Sequence, residues 1–143
     1  MSTDGADNPA RIRIHRRIEW IDTDAAGIYH WTTVIRYAEA AEAALHNALG
    51  ITEQTFGITP RVNAGFDFHR PLYFNDPVVI DFAVQAVGRS SVRYGVALTD
   101  AQQRAVAEGT ITTCLVDREL SRSVPWPDAV RRALSEGGPQ PDG

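Results

Sequence analysis

Along the 143 residues of this chain, the spacing of apolar residues shifts from every second position to every third or fourth in one long stretch. From about Tyr29 to Leu49 the series is Trp31, Val34, Ile35, Ala38, Ala41, Leu45, Ala48 and Leu49, rich in alanine, free of proline, and followed by Gly50. That spacing lays one apolar stripe along an α-helix, alanine favours the helix, and glycine just past its end supplies a left-handed cap. The stretch predicts a helix of about five turns. Any fold for this chain must bury one side of it.

The remaining apolar pattern has period two. Arg11 to Ile21 carries Ile12, Ile14, Ile18 and Trp20 on one parity, which reads as a strand, and Asp22 to Gly27 reads as a loop. Val62 to Tyr73 holds Phe66, Phe68 and Tyr73, and the Arg70-Pro71 interruption marks an edge or a bulge. Val78, Ile80, Phe82, Val84 and Ala86 alternate, then Val92, Tyr94, Val96 and Leu98 after the turn Gly88-Arg89-Ser90. Asp100 to Gln103 predicts a hairpin turn, and Ala105 to Val116 a last long strand. Val124-Pro125-Trp126-Pro127 stops the sheet, and Asp128 opens a short helix through Leu134. Residues 1–9 and the tail SEGGPQPDG, residues 135–143, are too polar and small to pack, so both ends are expected to be disordered around a single domain, 10–134.

The order is one strand, one long helix, then about four strands joined by tight turns. Short turns make the sheet antiparallel, and the helix covers its apolar face. The expected class is α+β: one long central helix wrapped by a curved antiparallel sheet of about five strands, the hotdog architecture.

Charge and composition narrow the chemistry. A net charge of −4 argues against a nucleic-acid partner, since phosphate binding needs a basic surface. Arg11, Arg13, Arg16 and Arg17 alternate with isoleucines and read as the solvated face of a strand. All 14 basic residues are arginine, so mechanisms that use a Schiff-base lysine, a phosphate-loop lysine or a lysine base are excluded. Cys114, the one cysteine, lies in an apolar run, reads as a structural thiol, and permits no internal disulfide. The first residues have no apolar signal region and no stretch has membrane-spanning length, so a cytoplasmic protein with no membrane partner is expected.

The segment Glu19-Trp20-Ile21-Asp22-Thr23-Asp24-Ala25-Ala26-Gly27-Ile28-Tyr29-His30-Trp31 puts two acids one residue apart where a strand meets the long helix. Three readings stand. As a calcium loop it has acids at positions 1 and 3, but Ala26 and Thr33 fall where ligands belong; His15 and His30 add no metal-binding spacing. As a capped turn, Asp and Thr simply satisfy a helix start. As a catalytic loop, a carboxylate lies beside the unpaired N–H groups of the first helical turn, which can hold an oxyanion, while Gly27 lets backbone approach a ligand. A carboxylate and such a hole suffice for an activated acyl compound such as a thioester. No serine triad is indicated, because Ser90-Ser91 sits in a hairpin turn and no G-x-S-x-G occurs.

The run W-I-D-T-D-A-A-G-I, the helix segment Ile35-Arg36-Tyr37 and the later F-D-F-H-R-P-L-Y-F-N-D-P resemble the 4-hydroxybenzoyl-CoA thioesterase family over roughly residues 11–120. The resemblance implies a hotdog-fold acyl-CoA thioesterase that hydrolyses an acyl-CoA, aromatic acyl groups included, or an acyl-carrier-protein thioester, without metal or cofactor. It implies that Asp24 is the catalytic carboxylate, as nucleophile or general base. Asp22 then shapes the loop or tunes its neighbour, with Gly27 and Tyr29 beside the substrate. The thioester oxygen falls to the backbone N–H near Trp31 with His30 next to it, and the nucleotide end of CoA to Arg89 and Ser90.

This chain departs from the family where Tyr29-His30-Trp31-Thr32-Thr33-Val34 replaces the usual helix start. Glu39 and Glu42 are further helix acids, Glu39 standing where a related hotdog group carries its catalytic acid. Trp31, Phe66, Phe68 and Tyr73 are candidates for an aromatic acyl pocket. A homodimer or homotetramer with sites at the interface is expected, since one copy leaves an edge strand uncovered. Two other readings remain: a non-catalytic acyl-thioester binding protein, and an acyl-thioester dehydratase or hydratase using His30 or His69 beside the acid.

Overall fold

The computed structural model describes residues 8–143; residues 1–7, most of the N-terminal stretch expected to be disordered, lie outside the described residues. Five strands form one antiparallel sheet: β1 (Arg11–Arg17), β2 (Arg61–Phe68), β3 (Pro77–Val87), β4 (Ser91–Thr99) and β5 (Ala105–Cys114). Their spatial order is β1-β3-β4-β5-β2, so the chain enters at one edge, crosses through α1 (Trp31–Leu49) to the far edge, and returns. A short helix, α2 (Thr52–Thr55), precedes β2, and α3 (Asp128–Glu136) follows β5. This is the hotdog fold.

The period-two pattern sets the buried face. Ile12 and Ile14, Val78, Ile80, Phe82 and Val84, then Val92, Tyr94, Val96 and Leu98 are all buried, and α1 covers them with Val34, Tyr37, Ala38, Ala41 and Leu45. The ladder between β3 and β4 slips at Gln85, between the pairs Val84–Tyr94 and Ala86–Arg93, so Ala86 and Val87 are both buried despite adjacent parity. Such a bulge increases the local twist of the sheet. Gly50 caps α1 at φ 72°, a left-handed conformation that costs glycine nothing.

Three expectations need correction. The first strand ends at Arg17, and Trp20–Asp22 forms a 3-10 turn that throws Trp20 and Ile21 into solvent, each more than 80% exposed; Trp20 does not share the core parity of Ile12. The strand expected over Val62 to Tyr73 ends at Phe68, so Tyr73 lies beyond it; both are exposed, and β2 is an edge strand, one of the two readings that Arg70-Pro71 offered. The C-terminal residues do pack. Beyond Glu136 they run beside β1: Gln140 N–H donates to Arg11 O (2.8 Å), Gly143 N–H to Arg13 O (2.8 Å), and His15 N–H to Gly143 O (3.0 Å). His15 Nε2 also lies 2.8 Å from Asp142 Oδ2. Asn8 joins the same layer, its carbonyl accepting from Gly138 N–H. No helix among the described residues is long and apolar enough to cross a membrane.

Candidate active site

The loop between β1 and α1 is built around the two acids, and the structure gives them different work. Asp22 is 1% exposed. Its Oδ2 accepts from Glu19 N–H (2.8 Å) and Tyr37 Oη–H (2.8 Å), and its Oδ1 pairs with the Arg36 guanidinium. Its carbonyl accepts from His30 N–H (2.7 Å) and Thr33 Oγ1–H (2.9 Å). One residue thus ties the loop to the first two turns of α1. Burial opposes its ionisation, but the Arg36 guanidinium, the Glu19 N–H and the Tyr37 hydroxyl together hold its pKa below the ordinary carboxylate value. With its carboxylate so engaged, Asp22 shapes the loop and offers nothing to a ligand.

Asp24 is half-buried and keeps one oxygen free. Its N–H donates to Ile28 O (2.9 Å) and its Oδ1 accepts from Ala26 N–H (2.8 Å), while Oδ2 has no partner among the described residues. Gly27, at φ 82°, closes this tight turn, and the Cβ of another residue would meet no neighbour there, so backbone conformation and not close approach selects glycine. The helix begins at Trp31 with His30 as its N-cap, whose Nδ1 accepts from Thr32 N–H (3.2 Å). Thr33 N–H donates to His30 O (2.8 Å). The N–H of Trp31 is left without a partner among the described residues, an available donor at the positive end of the helix.

Asp24 and Trp31 line one cavity of about 400 Å³, within the usual range for a small-molecule site. The other walls are Ile28, Tyr29, Phe68, His69, Arg70 and Pro71. Of the candidate site residues the structure brings Asp24, Tyr29 and Trp31 together at this cavity and leaves Gly27 off its walls, and of the four candidate aromatics Trp31 and Phe68 reach it while Phe66 and Tyr73 do not. His30 does not line it; its ring caps the helix and packs against Trp31 with centroids 5.5 Å apart. Glu39 and Glu42 border a separate groove with Arg61 and Phe56. Glu42 is buried against the Arg61 guanidinium (2.5 Å), and burial raises its pKa in spite of that partner.

Arg89 and Ser90 stand elsewhere. The β3–β4 turn shares a sheet end with Cys114 and Arg61, whereas the cavity lies at the opposite end, on the line Phe68–Ala107–Leu98–Ile80. At 3.3 Å per residue the two ends of the nine-residue β4 are roughly 26 Å apart. Within one copy the turn does not meet Asp24. The turn is nonetheless held firmly: Arg131 of α3 donates to Gly88 O (2.8 Å) and Arg89 O (3.1 Å), and Trp126 N–H donates to Arg89 O. Ile28, Arg70 and Pro71 are cavity residues that sequence reasoning missed. The sign available was the F-H-R-P run, where a strand must end and its last side chains turn toward whatever lies below.

Known proteins agree with this architecture. Residues 18–134 match the model of the thioesterase-like superfamily. A 1,4-dihydroxy-2-naphthoyl-CoA hydrolase of Synechococcus elongatus is 31% identical over 128 residues, covering 85% of this chain and 93% of the relative. Among solved structures, a gentisyl-coenzyme A thioesterase is 26% identical with a TM-score of 0.74, covering 85% of this chain and 98% of its own. A 1,4-dihydroxy-2-naphthoyl-CoA thioesterase from Synechocystis superposes with a TM-score of 0.77, covering 87% and 95%; at 16% identity it speaks for the fold alone. With a carboxylate and a free helix N–H on one cavity of a hotdog fold, and a family match over most of its length, the chain belongs to the thioesterase-like superfamily.

Proposed function

We propose that this thioester hydrolase cleaves the CoA thioester of an aromatic acid, with Asp24 as nucleophile or general base and the Trp31 N–H polarising the carbonyl. The observation that carries the reading is that Asp24, whose Oδ2 is free, and Trp31, whose N–H is unpaired, line one cavity. In the reaction the carbonyl carbon is attacked by the carboxylate or by a water it deprotonates, and negative charge grows on the thioester oxygen. A donor at a helix start favours that charge more than the neutral carbonyl, which lowers the barrier rather than merely tightening binding. The walls of Trp31, Phe68, Ile28 and Pro71 give a flat ring an apolar bed. The relatives' names support a ring-bearing acyl group and CoA as the thiol. The finer likeness to 4-hydroxybenzoyl-CoA thioesterases rests on the motif residues of the loop. The active unit we propose is a homodimer, the smaller of the two expected assemblies.

The test is thiol release from a panel of aryl- and alkyl-CoA thioesters. Asp24→Asn is expected to lower kcat on the order of 10²–10⁴-fold, the range for losing an acid–base group, while KM changes far less. Activity that survives the substitution overturns the assignment. Tight CoA binding without thiol release from any substrate makes the protein a binding module.

A further inference from the structure

The cavity holds a second proton-carrying group on the wall that β2 and β5 supply. His69 follows β2 directly, and its backbone N–H donates to Val106 O (2.8 Å), which pins it to β5. Its Nε2 lies 3.0 Å from Oε1 of Glu108, also on β5, and its Nδ1 has no hydrogen-bond partner among the described residues. His69 lines the cavity together with Asp24 and Trp31, whereas His30 spends its Nδ1 on the helix cap. A carboxylate bonded to one ring nitrogen fixes the orientation of an imidazole and leaves the other nitrogen for proton transfer. Arg70, the neighbouring cation of the wall, cannot serve, because a guanidinium does not release its proton.

We propose that His69, oriented by Glu108, is the acid that protonates the departing thiolate. The inference rests on the thioesterase reading above. As the tetrahedral adduct collapses, the C–S bond breaks and its electron pair goes to sulfur. The imidazolium gives its Nδ1 proton to that sulfur, and the thiol leaves. The neutral imidazole regains a proton from solvent, matching the one that the attacking water loses, so the sum is thioester plus water giving acid plus thiol. An alkyl thiol such as CoA, with a pKa of roughly 8.5, gains from this help. An aryl thiol of low pKa leaves readily as the anion and gains little.

The experiment pairs one aromatic acyl group with two thiols, CoA and an acidic aryl thiol, and measures kcat for wild type, His69→Gln, Glu108→Gln and Asp24→Asn. His69→Gln is expected to slow the CoA thioester on the order of 10²-fold and the aryl thioester hardly at all. Glu108→Gln should show the same selectivity in smaller degree. Asp24→Asn should slow both alike. Both residues of the pair are solvent-accessible at a strand end, and an unchanged thermal midpoint confirms that the variants fold. Equal slowing of both thioesters by His69→Gln, or no slowing of either, overturns the proposal while a loss with Asp24→Asn leaves the thioesterase reading standing. Two thioesters indifferent to Asp24→Asn overturn both.

Discussion

His46 shows how completely the surroundings of one residue can fix its charge. It is 1% exposed on α1, with Nδ1 2.7 Å from Thr55 Oγ1 and Nε2 2.7 Å from Tyr94 Oη. The Thr55 hydroxyl already donates to Ile51 O, so His46 Nδ1–H is the donor to Thr55 and Nε2 accepts from Tyr94. That is a neutral ring with both nitrogens satisfied, and burial lowers its pKa to about 4. Between the ordinary histidine value of 6.5 and 4, the unfolded chain binds a proton that the folded chain refuses. His46 therefore makes stability fall as pH drops through that window, by up to about 3 kcal/mol. Glu42, whose pKa is raised, works in the opposite sense above its ordinary value of 4.5, so the His46 effect is read by comparison. Urea midpoints at pH 7 and 4.5 should drop less in His46→Gln than in wild type, and equal drops would refute the assignment. At this scale Asp24 is legible as a candidate because the sequence puts an acid where a strand meets a helix start with unpaired donors, while the Trp31 N–H is legible only through the family resemblance. The sequence names His69 only as an alternative to His30 beside the acid, and the choice between them is not legible there, since only the return of β2 beside β5 carries His69 to the cavity.

The elements differ most in how their edges are protected. Strands β3 and β4 are recognisable from alternation because one face of each is buried in the core and the other is not. The pairing of the tail with β1 leaves no such trace: SEGGPQPDG holds no large apolar residue, and its attachment is made by backbone groups that every sequence possesses. Proline, glycine and acid content predicts a loose end where the chain instead seals a sheet edge. An unsealed edge offers a row of donors and acceptors to any other strand. Ending the chain after Glu136 removes the bonds at Arg11, Arg13 and His15, each worth roughly 0.5–1.5 kcal/mol net, and uncovers β1. Light scattering should then show assemblies larger than those of the full chain, with a modest loss of thermal midpoint. A truncated protein of unchanged size and solubility would show that the tail covers the edge without guarding it.

For the molecule as a whole, a sealed β1 leaves β2 as the open sheet edge, and pairing of two copies there would use that edge up. Val62 and Phe68 of β2 are 61% and 47% exposed, a cost that a lone copy bears for nothing. In the homodimer we propose, two copies related by a two-fold axis would pair β2 antiparallel to itself, because the same patch must meet itself. The axis then passes near Ala64 and Gly65, and the Arg61 end of one strand lies beside the Phe68 end of the other. This arrangement would draw the β3–β4 turn, which shares the Arg61 end of the sheet, toward the cavity of the other copy. Arg89 is remote from Asp24 in its own chain, yet in that dimer it would come within the field of an extended CoA bound next door, where a guanidinium suits a phosphate in a chain that has no lysine. Ala64→Lys places two like charges at the axis without touching the cavity, α1 or the loop. The expected result is a change from two copies to one in solution, with the circular dichroism of the fold retained. KM for CoA thioesters should rise, on the order of tenfold for each 1.4 kcal/mol by which substrate binding weakens. Arg89→Ala, with β2 unaltered, should raise KM in the same direction and leave kcat nearly unchanged, since it touches no reacting atom. A monomeric Ala64→Lys protein with wild-type kcat/KM would mean that each copy is complete by itself, and that the open edge of β2 serves something other than catalysis.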